Sequence, residues 1–413
     1  MAREPVNRLV VATRGSRQWI AWLAGGRLVE LHVQSPDFKD DVGSIYLGRV
    51  ARVDKNLAAA FIDLGVGKSG MLPLDSDKEK ISEGSAITVQ VARNEQSEKG
   101  PRLSGGPSIA GGVLVLTPGG RGISLSDRIV DKHKRRLLAA ALAKLAKPGE
   151  GLMARTAASD VADDDLASEL ERLRRQWQQV LAAQNTAAIP SLLMQGPGTL
   201  RRLIRDSGAA FAEIEFDARN AATEATEWCQ VHAPRLAARI GHCRPQDWKM
   251  PFDEIIEQAR IAVDRQAPLP SGGRLLFEPG ETLTAIDVDS GRHATSSGDS
   301  GAEQVFLKTN LEAVEEICRQ LRLRKIGGVI VIDFINMSNP ANRRRVVERL
   351  RTAMATDPAR CWVGSMSRLG LVEMTRRRLG PTLAEMMTDV CPTCEGLGRT
   401  TRATWPLMQG AVE

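Results

Sequence analysis

The chain is poor in the features that announce an export, membrane or disulfide-held protein. Six cysteines are spread through 413 residues, and only Cys391 and Cys394 lie close together, so there is no disulfide framework. No apolar run approaches the roughly 18 residues of a membrane span. The opening "MAREPVNRLV" lacks the apolar h-region of a signal peptide. These absences give the expectation of a cytoplasmic protein without a membrane span. The five histidines, at 32, 133, 232, 242 and 293, show no metal-ligand spacing.

Hydrophobic residues make up 42% and charged residues 26%, the balance of a globular protein. The length allows several domains with sizeable cores. The formal charge of +6 is unevenly spread. From Arg319 to Arg378 there are 14 Arg or Lys against 4 Asp or Glu, so the remainder must be slightly acidic. Such a basic block suggests a polyanionic partner. The plainer alternative is that its arginines coat solvated helices.

Along the chain, residues 1–40 alternate apolar and polar groups as a short β-meander. Residues 41–104 hold short strand candidates between Gly-rich turns, which suggests a small barrel. "PSIAGGVLVLTPGGRGISL" reads as another strand pair, and residues 131–147 and 163–186 as helices. After the turn "PLPSGG" the pattern becomes α/β. "RLLFEPGETLTAIDV" reads as two strands, and Leu307, Leu311, Val314, Cys318 and Leu321 form a helical stripe. A strand at 329–334, a helix from Asn339-Pro340 and a strand "CWVGSMS" follow, an order that predicts parallel pairing across helical crossovers.

Asp287 and Asp333 then end two successive parallel strands, where α/β sheets bind ligands. Asp289 is two residues beyond Asp287 and shares its face. Converging carboxylates repel one another, and a hard cation resolves that conflict. Mg²⁺ suits one or two carboxylates completed by water and phosphate oxygens. The alternative is that these aspartates cap helices or pair with arginines. Mg²⁺ beside basic residues fits phosphodiester hydrolysis.

"LTAIDVDSG", "KTNLEAVEEICRQLRLRKIGGVIVIDFINM", "SRLGLVEMTRRRLGPTL" and "CPTCEGLG" together resemble the ribonuclease E/G family of bacterial endoribonucleases. The resemblance is dense over 268–400 and continues more thinly through "GSIYLGRVARVDKNLAAAFIDLGVGKSGMLPL" and "GLMARTA". It implies an α/β multi-subdomain fold. An RNase H-like part at 1–40 and 198–262 would carry an inserted S1-type OB barrel at 41–104 and a 5′-sensor region at 105–197. A DNase I-like catalytic subdomain at 263–388, a zinc link at 389–400 and a tail at 401–413 would follow.

The resemblance also implies site residues. Asp287 and Asp333 would hold the catalytic Mg²⁺. Asp289 stands where the family often has Asn, and could serve as a third ligand or add repulsion. In the barrel, Phe61 shares a strand face with Asp63, so it reads as an exposed base-stacking aromatic. Met71 replaces a second family aromatic, and Lys99 matches a basic residue facing RNA. With 8 Phe and 1 Tyr in the chain, aromatic contacts to RNA must be few. Arg360 and the Arg376–Arg378 run are candidate RNA-backbone contacts. Gly111, Val115, Arg155 and Thr156 match a pocket for a 5′-monophosphate. Leu125 stands where the family tends to have arginine, and Arg128 is the candidate substitute.

The pair Cys391 and Cys394 looks like half a zinc knuckle, since structural zinc takes four ligands. A second chain is the simplest completion, and the family implies that zinc-linked dimer. A redox CxxC and an internal zinc using a single cysteine are the alternatives. The expected activity is Mg²⁺-dependent cleavage of single-stranded RNA, with ribosomal RNA precursors and messenger RNA as substrates. A non-catalytic RNA-binding protein and a DNA nuclease are the rival readings.

Overall fold

The structure, a computed structural model, describes residues 7–35, 40–74, 81–95, 99–207, 210–291 and 299–394. The chain divides into two compact units, Met1–Gln258 and Ala259–Glu413.

Among the described residues, the first unit contains three sheets. Strands Asn7–Arg14, Arg17–Ala24 and Arg27–Gln34 form an antiparallel meander, extended in parallel by Glu213–Phe216 and Ile240–His242. Leu9, Val11 and Ile20 meet Ala222, Ala225 and Cys229 of helix Arg219–His232 in its core. The second sheet closes on itself. Strands Ile45–Asp54, Ala59–Asp63, Gly70–Pro73, Arg102–Ser104 and Ala86–Arg93 follow one another, and the last pairs back to the first. This is an OB-like barrel, filled by Tyr46, Val50, Ala60, Ile62, Leu72, Val89 and Leu103. Gly48 permits its tight wall, because a Cβ there would lie 2.3 Å from Ile62 Cγ2. The third sheet runs Ile123–Leu125, Glu150–Ala154, Leu114–Pro118, Ile109–Ala110. Helices Lys132–Leu145 and Asp163–Thr186 share its core through Leu138, Leu142, Leu166, Leu170 and Leu173. The triple aspartate at 163–165 occupies the first turn of the second helix, where the macrodipole favours it.

The second unit is one sheet in the order Gln266–Pro268, Arg274–Pro279, Leu283–Asp289, Gly328–Asp333, Leu371–Arg376, Cys361–Met366. Leu283–Asp289 and Gly328–Asp333 are parallel, joined by helix Asp299–Leu323. Val314 and Leu321 of the expected stripe are fully buried, while Leu307, Leu311 and Cys318 pack at the margin. Helix Pro340–Met354, capped by Asn339, adds Val346, Leu350 and Met354 to the same core. Along each central strand alternate residues belong to this core: Ile286 and Val288, Ile330 and Ile332, Val372 and Met374.

One expectation is corrected. Cys361–Met366 does not pair with Gly328–Asp333, because Leu371–Arg376 lies between them, antiparallel to both. The cause is the tight turn at Ser367–Gly370. Ser367 N–H donates to Leu371 O at 2.8 Å and Gly370 takes φ +90°, so the chain doubles back as a hairpin. Among the described residues, no helix is long and apolar enough to cross a membrane.

Candidate active site

The parallel register sets Asp287 directly beside Asp333. Neighbouring strands lie about 4.8 Å apart, so the two carboxylates belong to one local site. Both residues are exposed, because the alternation that buries Ile286 and Ile332 turns them to the opposite face. Neither has an ion-pair partner among the described residues. Desolvation first, then the Asp333 carboxylate, push the Asp287 carboxyl above the ordinary range. Two adjacent acids with no counter-charge among the described residues fit a Mg²⁺ ion that takes its other ligands from water and phosphate.

Asp289 is held differently. Its Oδ2 accepts from Arg274 Nε at 3.1 Å and its Oδ1 from Gly291 N–H at 2.9 Å. Arg274 is also its cross-strand neighbour. It shares the face of Asp287, as the spacing predicts, but its charge is already answered within the protein. Among the described residues no group of three His, Cys, Asp or Glu is arranged to hold a metal ion.

The segment after Asp333 is pinned to the long helix. Buried Asn310 donates from Nδ2 to Ile335 O at 2.8 Å and accepts from Ile335 N–H at 3.1 Å. Glu303 accepts from Ser338 N–H and Oγ, Asn339 N–H and Asn342 Nδ2. Asn342 first, then Ser338 and Asn339, hold the Glu303 carboxyl down to about 2. The hairpin tip at 367–370 closes in from the other side. A Cβ on Gly370 would lie 2.9 Å from Phe334 O and 3.9 Å from Asp333 Oδ1. Arg368 and Leu369 are exposed on that tip. The sequence reading assigned no role to Asn310, Glu303 or Arg368. The available signal for Asn310 was a polar residue on the apolar face of a helix.

The basic block divides into structural and exposed arginines. Arg376, expected among the RNA contacts, is buried, and this is a correction. It forms a two-pronged pair with Asp357 at 3.0 and 3.1 Å and donates to Ile326 O at 2.7 Å. Its place at the end of the Val372, Met374 core face puts it inside. Arg324 is buried over the Phe277 ring and donates to backbone carbonyls of Asp264 and Gln266. Burial first lowers the Arg324 pKa to about 10. Arg349 pairs with Glu315 and Arg319 with Glu316. Arg344, Arg360, Arg377 and Arg378 stay exposed, and Arg377 N–H donates to Arg360 O at 2.9 Å, which brings two of them together.

On the barrel, Phe61 lies outside the apolar interior that holds Ala60 and Ile62. It is half-buried, pairs across strands with Arg52 and Met71, and carries the Arg52 guanidinium 4.7 Å from its ring centre. Lys99 is exposed.

Gly111 and Val115 flank a loop that enters the third sheet, with Arg155 and Thr156 just past the neighbouring strand. Gly111 packs so tightly on Glu169 that a Cβ would lie 2.2 Å from its Oε1. That same oxygen accepts from Val113 and Leu114 N–H. Arg155 Nη1 donates to Gly111 O at 2.9 Å, and Thr156 Oγ1 bonds Ser126 Oγ at 2.9 Å. Leu125 packs against the core of this sheet, which accounts for an apolar residue at that position. Arg128 is exposed beyond it.

Cys391 is exposed and Cys394 half-buried. N–H groups of Cys394 and Thr393 lower the Cys391 pKa, the electrostatic setting of a metal-binding thiolate. The "EGLG" that follows and the 401–413 tail lie outside the described residues.

The chain matches the family model described as Ribonuclease E/G family over residues 108–379. It is 34% identical over 410 residues to "Ribonuclease E" of Haemophilus influenzae, an alignment covering 95% of this chain and 44% of that protein. It is 31% identical over 414 residues to "Ribonuclease G" of Salmonella typhimurium, covering 94% of this chain and 83% of that protein. With "Ribonuclease E" of Escherichia coli the identity is 34% over 410 residues, 94% of this chain and 38% of that protein. The chain thus spans less than half the length of these two ribonucleases E.

Proposed function

The chain belongs to the ribonuclease E/G family, and from that premise we propose that it is a Mg²⁺-dependent endoribonuclease acting on single-stranded RNA. The observation that carries the reading is the in-register pair Asp287 and Asp333, exposed, adjacent and, among the described residues, without a cationic partner.

When bound, Mg²⁺ supplies Lewis-acid chemistry: it neutralises charge on the scissile phosphate and lowers the pKa of a bound water. Asp287 and Asp333 are the residues that would hold it. Asp289, fixed by Arg274, is a positioning group whose oxygens keep lone pairs for a water. Arg360 and Arg377 hold flanking phosphates as forked donors. Phe61 offers a ring for base stacking, and Lys99 is an exposed positive charge in the same unit. Hydrolysis leaves 5′-phosphate and 3′-hydroxyl ends. Ribosomal RNA precursors and messenger RNA are the substrate classes this reading carries.

The second unit then serves as a DNase I-like catalytic subdomain, and the meander sheet as an RNase H-like part. Gly111, Val115, Arg155 and Thr156 form a 5′-monophosphate sensor. Cys391 and Cys394 share one Zn²⁺ with the same pair of a second chain, giving a homodimer in the cytoplasm.

The test is cleavage of a short, end-labelled single-stranded RNA in Mg²⁺ and in EDTA, with single-stranded DNA as competitor. Cleavage that needs Mg²⁺ and yields 5′-phosphate ends supports the assignment. Binding without cleavage would make the chain an RNA-binding protein instead. Equal cutting of DNA would overturn the substrate class.

A further inference from the structure

Two guanidinium groups converge on one carboxylate beside the Gly111 loop. Asp206, at the end of helix Gly198–Ser207, receives Arg155 Nη1 and Arg205 Nε on the same oxygen, each at 2.7 Å. Its other oxygen accepts from Arg205 Nη2 at 3.2 Å. Both arginines also grip consecutive backbone carbonyls, Arg205 at Ala110 O and Arg155 at Gly111 O. The loop is therefore clamped between two arginines on its carbonyl side and Glu169 at its amides.

All of this engages a single nitrogen of Arg155. Its Nη1 is taken twice, while Nε and Nη2 have no partner among the described residues. The Arg155 side chain is 19% exposed, so its remaining donor edge reaches solvent and is open to an acceptor from outside the chain. That edge has the spacing of a bidentate fork for two phosphate oxygens.

The surroundings carry surplus positive charge. Arg155, Arg172, Arg201 and Arg205 gather there against Glu169 and Asp206. His232 reports the imbalance. Its Nδ1 lies 3.4 Å from Arg172 Nη1, and burial first, then Arg172, Arg201 and Arg205, press its pKa down to about 4.

We propose that Asp206 is a positioning residue for RNA 5′-end recognition, anchoring Arg155 by Nη1 so that its Nε–Nη2 edge receives a terminal phosphomonoester. This inference rests on the sensor reading above. Without Asp206, Arg155 keeps only the Gly111 carbonyl and faces the like charge of Arg205 uncompensated. The guanidinium then samples several orientations, and a bidentate contact loses its pre-organisation.

The experiment compares one RNA carrying a 5′-monophosphate or a 5′-hydroxyl. The readouts are kcat and KM, and binding of both RNAs in EDTA by fluorescence anisotropy. Wild type, Asp206→Ala and Asp206→Asn are measured, with folding checked by circular dichroism. The expected result is a 5′-monophosphate preference in wild type that falls about tenfold in Asp206→Ala, chiefly through KM and binding. Asp206→Asn retains an acceptor oxygen and is expected in between. An unchanged preference in a folded Asp206→Ala protein overturns the positioning role while leaving the sensor reading intact. A raised preference overturns it too, since Asp206 would then compete with phosphate for Arg155. A wild type indifferent to the 5′ end overturns the sensor and this inference together.

Discussion

Replacing Asp333 by asparagine removes one of two adjacent like charges while keeping the side chain's shape. The carboxylates stand on neighbouring in-register strands, about 5 Å apart. At that distance in a water-like medium their repulsion is about 0.8 kcal/mol, and salt reduces it to about 0.5 kcal/mol. Without metal, the variant should therefore be slightly more stable than wild type. For a unit of this size the melting temperature should rise by about 1–2 °C in EDTA. With Mg²⁺ at 100 times its dissociation constant, wild type should gain about 2.7 kcal/mol and the variant far less. The melting curves of the two proteins should thus change order between EDTA and Mg²⁺. Losing a metal contribution of several kcal/mol also predicts a fall in RNA cleavage of about 10³-fold. Scanning fluorimetry and gel assays of end-labelled RNA read both effects. A variant that still gains full stability from Mg²⁺, or cleaves at the wild-type rate, would refute the metal assignment.

Asp357→Ala should strand the buried Arg376 guanidinium and cost about 3–5 kcal/mol in denaturant titrations. Arg377→Ala should leave stability unchanged and lower the salt slope of RNA binding by about one. His232 takes a proton near 6.5 when unfolded but only near 4 when folded. Stability is therefore complete above pH 6.5 and falls as pH drops towards 4. The loss, reduced for a half-buried ring, is about 1–2 kcal/mol. His232→Gln should remove that slope, and identical pH profiles would contradict it. Purified protein should contain half an equivalent of Zn²⁺ per chain and dissociate to monomers on chelation. A full equivalent, or a dimer insensitive to chelators, counts against the shared site.

The side-by-side placement of Asp287 and Asp333 was legible because strand alternation and parallel order are local properties. Ile286 and Ile332 must go inward, so Asp287 and Asp333 go outward, and a helical crossover brings them side by side. The OB-like barrel was legible from short strands between glycine turns. What escaped was set by distant partners. The surplus of arginines looked like one surface, yet Arg324 and Arg376 donate hydrogen bonds to backbone carbonyls and Arg376 pairs with a buried acid. Alternation could have flagged Arg376, which continues the inward face of Val372 and Met374. Nothing local could have flagged Asp206, whose partner Arg155 comes from another part of the unit. The strand Leu371–Arg376 was missed because its hairpin places it between two strands that precede it in sequence.

The treatment of acids along a single strand is itself informative. Asp289 is given Arg274 across the sheet and the Gly291 amide, and its charge is settled inside the fold. Asp287, two residues earlier on the same face, is given neither. Among the described residues, the neighbour that most disfavours its charge is the Asp333 carboxyl group. A fold that needed only solvation would gain by separating the two acids or by pairing one with any of the abundant arginines. Instead the segment beyond Asp333 is fastened by Asn310 and Glu303, which holds the repulsive arrangement in place. Repulsion maintained by neighbouring hydrogen bonds is a standing cost in the free protein, of the kind that a bound cation would relieve. That contrast makes Asp289 a residue whose charge is already compensated, and it is why the proposed metal site is placed on Asp287 and Asp333 and not on Asp289.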